Sequence, residues 1–345
     1  MQDGMPPSSS SIKIVVNGDR TIEVQADGSL FATLNANKIF LPSICGGRGK
    51  CGRCRCRVTS GGGELTTAEN ALLSPQDIAG GVRLACQVIL SGDLAVEIPE
   101  HLLHVQEYEA EVELIKDLTH DIKLVRFALI DPPEIFFKPG QYIQLSNKPY
   151  GHVQDVVSRS YSIASPADET GRIDLMIRRV PEGICSNWIH CHVMTGERIR
   201  FVGPSGDFYL REGKGDILLV AGASGMAPMV PILHELNKIK TQRRVTYFFG
   251  AQSRMDLFYL DEMEAFRRQI STFEFIPCLS DPRPGDDWNG KTGLITVPLE
   301  AHLASIDTRE TQAYLCGSPG MIHACRKLLA AYGVDNDRVF YDPFT

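Results

Sequence analysis

Four cysteines constrain this chain more than any other feature. The run Cys45-Gly-Gly-Arg-Gly-Lys-Cys51-Gly-Arg-Cys54 spaces three of them as C-x5-C-x2-C, and Cys86 follows after 31 intervening residues. Any fold that uses all four must return Cys86 to that loop. Three thiols on one glycine-rich loop, with a fourth arriving from afar, is an arrangement that holds a 2Fe–2S cluster. The glycines let the backbone wrap closely and aim N–H groups at sulfur. A structural zinc site also uses four cysteines and a C-x2-C pair, but zinc sites commonly present two such knuckles and this loop has one. The metal ligands are therefore expected to be Cys45, Cys51, Cys54 and Cys86. Cys56 sits in what reads as a strand leaving the loop, Cys54 to Val58, and suits a small buried position.

Composition narrows the setting. At 345 residues the chain suits two or three domains. A formal net charge of −7 argues against nucleic acid as a partner. No run of roughly 18 apolar residues is present, so no transmembrane segment is expected. Met1 to Ser10 is polar and rich in serine and proline, which reads as a disordered tail and not as a signal peptide or anchor. Five of the ten cysteines lie between Cys45 and Cys86 and the rest are scattered from Cys185 onward. That spacing favours a local metal site in a reducing compartment, the cytoplasm, over a disulfide framework.

Three segments follow the tail. Residues 11–100 open with alternation over Ile12–Val16, a turn at Asn17-Gly18-Asp19 and a second strand Thr21–Val24, which predicts a hairpin. A helix over Ser29–Asn37, the cysteine loop, a break at Gly61-Gly62-Gly63 and a last strand Leu94–Ile98 complete a small α+β domain. Residues 101–211 repeat short strand patterns at Tyr108–Leu114, Ile122–Leu129, Gln141–Leu145, Arg172–Arg178 and Arg198–Val202, as in a small barrel. Residues 212–345 alternate strands (Asp216–Val220, Val245–Phe249, Phe273–Cys278, Thr311–Cys316, Val339–Tyr341) with helices (Met229–Ile239, Gly320–Tyr332). That rhythm predicts a parallel sheet covered on both faces.

Two groups of motifs sit on this frame. Arg159-Ser-Tyr161-Ser162 offers a pyrophosphate clamp, a ring to stack on an isoalloxazine and a hydroxyl for its edge. Downstream, Gly183-Ile-Cys185-Ser186-Asn187 leads into a helix whose free N–H groups suit phosphate. Ala221-Gly222-Ala-Ser-Gly225-Met-Ala-Pro228 lies at the carboxyl edge of the first parallel strand, and Cys316-Gly317-Ser-Pro follows another strand at the same edge. Ligands bind at that edge in such sheets. Neither glycine run is a G-x-G-x-x-G fingerprint, and ordinary turns share these residues.

Taken together, the chain resembles the ferredoxin–NADP+ reductase superfamily. With its N-terminal cysteine domain it is similar to the family of the F subunit of the sodium-translocating NADH:quinone reductase. Gly225-Met-Ala-Pro-Met229, Leu279-Ser-Asp-Pro282 with Trp288, and Cys316-Gly317 also carry that likeness. The resemblance implies a β-grasp ferredoxin domain, a six-stranded antiparallel FAD-binding β-barrel and a doubly wound parallel-sheet nicotinamide-binding domain. It implies FAD at Arg159, Tyr161, Ser162, Ile177, Gly183, Cys185, Ser186 and Asn187, and NADH at Gly222, Gly225, Pro228 and Gly317. Ser162 and Cys316 are implied beside the reacting flavin and nicotinamide, and Phe344 as the aromatic that nicotinamide displaces. Electrons would pass from NADH to FAD, to the 2Fe–2S cluster, and to a one-electron redox protein.

The chain departs from that family in its polar start, in a short barrel segment between Phe136 and Arg159, and in the loop Ala221-Gly-Ala-Ser-Gly225, nearer the soluble reductases. These departures point to a soluble relative with a different acceptor, such as an oxygenase component. An electron-input subunit of a larger complex and a zinc-bearing binding module without redox function are the alternatives. Arg48, Lys50, Arg53, Arg55 and Arg57 crowd the cysteine loop, either balancing cluster charge or forming a docking patch for an acidic partner.

Overall fold

The computed structural model describes residues 11–43, 45–99, 102, 103 and 105–344. The tail assigned to residues 1–10, and His101 at the start of the second segment, lie outside the described residues. Contacts divide the chain into two compact units, one reaching Glu107 and including Ser158–Ser160, the other holding the remainder.

In the first unit, β1 (Ser11–Val16) and β2 (Arg20–Gln25) pair antiparallel around a turn. Asn17 and Gly18 take φ of +53° and +80° there, the conformation a short hairpin turn requires. Helix α1 (Leu30–Ala36) is capped by Ser29, whose Oγ accepts from Ala32 N at 3.3 Å, and it buries Leu30, Phe31 and Leu34. Beyond the cysteine loop come β3 (Arg55–Ser60), α2 (Thr67–Leu72), α3 (Pro75–Ala79), β4 (Val82–Leu84) and β5 (Leu94–Glu97). The sheet order is β2-β1-β5-β3-β4, with β1 and β5 parallel and β3 antiparallel to both its neighbours. This mixed sheet with its packed helix is the expected ferredoxin domain. The two short helices α2 and α3 go beyond the sequence expectation, although each starts with a capping box, Thr66 with Glu69 and Ser74 with Asp77.

One ion pair ties this unit together. Glu69 is fully buried, and Arg83 meets it through Nε at 2.7 Å and a terminal nitrogen at 3.0 Å. Arg83 also donates to the carbonyls of Gly62, Gly63 and Glu64, while Glu69 accepts from Leu84 N and Thr66 N.

A barrel follows, most of it in the second unit: β6 (Gln106–Asp117), β7 (Ile122–Asp131), β8 (Tyr142–Ser146), β9 (Ser158–Ser162), β10 (Arg172–Arg178), α4 (Ile184–Cys191) and β11 (Arg198–Ser205). The order β10-β7-β6-β11-β8-β9 nearly closes, because Ile163 bridges antiparallel to Leu175 of β10. Phe127, Phe201, Ile143 and Leu175 fill the interior, plugged by Trp188 and Ile189 of α4. Strand β9 is a further addition to the expected strands.

The parallel sheet follows as β12 (Ile217–Gly222), α5 (Met229–Lys238), β13 (Val245–Ala251), α6 (Leu260–Gln269), β14 (Phe273–Leu279), β15 (Lys291–Thr292), α7 (Thr296–Leu303), β16 (Gln312–Gly317), α8 (Pro319–Ala331) and β17 (Val339–Pro343). Its order is β15-β14-β13-β12-β16-β17, and each strand runs parallel to its neighbours. Side chains of β12 alternate between two cores. Ile217, Leu219 and Ala221 face α5 and α6, and Leu218 and Val220 face α7 and α8. The first of these cores also takes in Ile122, Leu124 and Met176 of the barrel. Among the described residues, no helix is long and apolar enough to cross a membrane.

Burial alone would raise the Glu69 carboxyl; the Arg83 guanidinium and the Thr66 and Leu84 N–H groups outweigh it and hold the group below the ordinary range. Its stabilisation is therefore present above the unfolded pKa and lost as pH falls through the depressed folded value. Glu69→Ala, which strands a buried guanidinium, is expected to lower the unfolding free energy by about 3–5 kcal/mol in denaturant titration at neutral pH. A change below about 1 kcal/mol, the range of exposed pairs, would contradict that reading.

Candidate functional site

The returning segment brings Cys86 to the cysteine loop through backbone contacts on both sides. Ala85 N donates to Cys54 O at 2.8 Å, and Phe31 N donates to Ala85 O at 3.0 Å. The loop makes room for this approach. A side chain on Gly47 (φ +82°) would press on Phe31, and one on Gly49 (φ +70°) would stand 2.5 Å from the Gln87 amide nitrogen.

The four thiols meet as two pairs. Cys45 shares a side-chain hydrogen bond with Cys51, and Cys54 with Cys86. Accepting from its partner pushes Cys45 towards thiolate and, in the second pair, Cys86; Cys51 and Cys54 are pushed the other way. Cys51 is half-buried and the other three are buried. Among the described residues, no group of three or more His, Cys, Asp or Glu side chains is set to hold one metal ion. Four thiols at one loop suit a pair of irons, each needing two protein sulfurs. Cys56 is buried on β3 opposite Arg83, and burial pushes its thiol up to about 12.

Around the loop, Arg48 Nε donates to Cys45 O at 2.8 Å. Arg55 pairs with Asp77, and Arg57 with Glu97. Gln87, which no sequence motif singles out, donates from Nε2 to Cys86 Sγ at 3.7 Å.

Strand β9 carries Arg159, Tyr161 and Ser162. Ser162 is 5% exposed and its Oγ has no partner, a buried polar atom that a flavin edge would satisfy. Arg159 donates to Ser158 O at 2.7 Å, and Tyr161 packs half-buried on the barrel core. Ile177 and Cys185 lie inside that core. Gly183 caps α4, and a Cβ there would stand 2.7 Å from Ser186 Oγ. The side chains of Ser186 and Asn187 meet the turn before the helix. Ser186 Oγ accepts from Val180 N at 3.1 Å, and Asn187 bonds to Gly183 O, Val180 O and Arg179. Their side chains hold the turn that precedes the helix.

At the sheet's carboxyl edge, β12 ends at Gly222 and runs into a 3-10 turn, Ala223–Met226, which lies against β10 of the barrel. A Cβ on Gly225 would collide with the Cys316 carbonyl. Pro228 leads into α5, and Gly317 (φ +147°) ends β16. Phe344 N donates to Gly317 O at 3.0 Å, which seats this aromatic beside the same edge. Cys316 itself is fully buried, and burial pushes its thiol well above the ordinary range. Its carbonyl lies against Gly225 of the glycine turn.

Three families match this chain. The 2Fe-2S iron-sulfur cluster binding domain covers residues 14–91, the oxidoreductase FAD-binding domain 109–209, and the oxidoreductase NAD-binding domain 219–327. The chain is 30% identical to the F subunit of the Na(+)-translocating NADH-quinone reductase of Pseudomonas aeruginosa and 31% identical to that of Neisseria meningitidis. Each alignment spans 98% of this chain and 92% of the relative. Among solved structures it is similar to the Amycolatopsis cytochrome P450 reductase GcoB (TM-score 0.78) and to the ferredoxin reductase in carbazole 1,9a-dioxygenase (TM-score 0.74). Both are 26% identical, over 97% of this chain and 99% of theirs. The chain thus carries 2Fe–2S, FAD-binding and NAD-binding domains in the architecture of a ferredoxin-reductase-like oxidoreductase.

Gly225→Ala forces the glycine turn away from Cys316. The dissociation constant of the nicotinamide nucleotide is expected to rise at least tenfold, about 1.4 kcal/mol, with FAD content unchanged, as measured by spectral titration of the holoprotein. Unchanged affinity would place the nucleotide away from this turn.

Proposed function

The chain belongs to the family of the F subunit of the Na(+)-translocating NADH-quinone reductase, and we propose that it is an NADH:acceptor oxidoreductase serving a one-electron redox protein. The return of Cys86 to the loop that holds Cys45, Cys51 and Cys54 carries this reading, since a two-iron cluster takes four protein thiolates. We take the ferredoxin domain as residues 11–100, the FAD-binding barrel as 101–211 and the NAD-binding domain as 212–345, working in the cytoplasm.

When bound, FAD accepts electrons in pairs and releases them singly, and a 2Fe–2S cluster carries them one at a time. The chain's own residues supply position and shelter. Arg159 would clamp the FAD pyrophosphate, and the start of α4 after Gly183 would offer it backbone N–H groups. Tyr161 would cover the ring system and Ser162 Oγ would donate to its edge, ending its isolation. Ile177 and Cys185 would back the site from the barrel core, while Ser186 and Asn187 keep the turn in shape. Gly222, Gly225, Pro228 and Gly317 leave the backbone open to the nucleotide, with Cys316 beneath them and Phe344 as the side chain that NADH displaces.

Preference for NADH over NADPH is supported by the turn after β13. Arg254 donates to Asp286 O at 2.7 Å, and the Asp256 carboxylate accepts from Ser253 N and Oγ at 2.8 Å. The guanidinium that would greet a 2′-phosphate is thus engaged, with a carboxylate nearby. The acceptor reading draws support from similar structures named as reductases of a cytochrome P450 and of a dioxygenase system. The relatives named as subunits favour a second reading, an electron-input module of a larger complex. Co-purification with partner subunits from the native source would distinguish it.

Single Cys→Ser changes at 45, 51, 54 and 86 are expected to lose or destabilise the cluster, because iron favours soft thiolate over hydroxyl. NADH-dependent ferricyanide reduction should survive while cytochrome c reduction falls sharply; Cys56→Ser should keep both. Full cytochrome c rates in all four variants would place the electron exit at the flavin. Steady-state kinetics should also give a higher kcat/KM for NADH than for NADPH. The opposite order would mean that Arg254 is released to bind phosphate.

A further inference from the structure

Gln87 reaches Cys86 from outside the cysteine loop. Its Nε2, with two N–H donors, lies 3.4 Å from Cys86 O and 3.7 Å from Cys86 Sγ, and its Oε1 lies 3.2 Å from Thr66 Oγ1. The network fixes which end of the amide faces which neighbour. A thiolate accepts and does not donate, so the N–H end belongs at sulfur and the oxygen end at the Thr66 hydroxyl. The Thr66 hydroxyl stands between two acceptors, Gln87 Oε1 at 3.2 Å and Glu69 Oε2 at 3.1 Å, and the second of these already receives Thr66 N and Arg83. Thr66 is held in turn by capping α2 and by the buried Arg83–Glu69 pair. On the loop side, Gly49 has no side chain to occupy the place the amide fills.

An N–H directed at a ligand sulfur stabilises negative charge there, and the cluster gains negative charge on reduction. We propose that Gln87 raises the reduction potential of the 2Fe–2S cluster by donating to Cys86 Sγ, its amide aimed by Thr66 and given room by Gly49. Gln87 is a positioning residue that acts through Cys86, and its role rests on the reading of Cys86 as a ligand. It does not supply a bond to iron.

Two variants separate the donor from the shape. Gln87→Leu removes the donor, and Gln87→Glu keeps the outline and the Thr66 partner but presents a carboxylate oxygen to the sulfur. Redox titration of the purified holoprotein, read by EPR of the reduced cluster, counts only loaded molecules, so partial loading leaves the measurement intact. Both variants are expected to lower the cluster potential. For Gln87→Leu the shift should be at least tenfold in the one-electron equilibrium, about 59 mV, and for Gln87→Glu it should be larger, while the flavin potential stays at its wild-type value. Potentials equal to wild type in both variants, or raised in either, would overturn the proposal. Absence of iron from the wild type would overturn the ligand reading beneath it.

Discussion

The return of Cys86 to the cysteine loop depends on the buried pair between Arg83 and Glu69. A carboxylate with no exposure costs several kcal/mol to desolvate and persists only when its lone pairs are filled. Here two Arg83 nitrogens and two backbone N–H groups fill them. Arg83 directs its other donors to the carbonyls of Gly62, Gly63 and Glu64. The segment between the loop and Cys86 is therefore wound around a single pair of charges. That winding sets β4 against β3, presents Ala85 N to Cys54 O, and leaves Cys86 beside Cys54. An apolar pair of the same volume would fill the space but would not choose which carbonyls to gather.

The second unit is organised by a different constraint, the two apolar faces of its parallel sheet. With helices on both sides, β12 has no polar face to offer, and chemistry is confined to the strand ends. At that edge the backbone approaches itself closely. Gly225 lies against the Cys316 carbonyl, and Gly317 accepts from Phe344. The same core that buries α5 also takes in Ile122 and Met176 of the barrel, so β10 and the glycine turn share one packed interior. Ser162 Oγ is buried without a partner at the end of β9, and a ligand edge would satisfy it.

The parts of this architecture that depend on strong local patterns are legible in the sequence. Cysteine spacing, the Asn17-Gly18 hairpin, and the apolar runs of β12, β13 and β16 each have one physical reading. Less is legible where pattern and context compete. Helices α2 and α3 are six and five residues long, too short for periodicity, and only their capping boxes mark them. Strand β9 is polar and half-buried, so its chemistry is readable and its conformation is not. The composition at Ser186 and Asn187 does not show that their side chains also bond the carbonyls and an N–H of the Val180–Gly183 turn. Nothing in the local sequence marks Cys316 as fully buried, or turns the Gln87 side chain back onto the Cys86 sulfur. Both follow from packing between distant segments.

Everything proposed for this protein turns on whether the four thiols of the ferredoxin domain hold a two-iron cluster that receives electrons originating in NADH. Freezing the anaerobic protein after addition of NADH, without any acceptor, and recording its EPR spectrum tests this directly. The expected result is the signal of a reduced 2Fe–2S cluster, integrating to about one spin for every two irons bound, since one extra electron is shared by the iron pair. Bleached flavin with no cluster signal, in protein that carries its full iron, would contradict it.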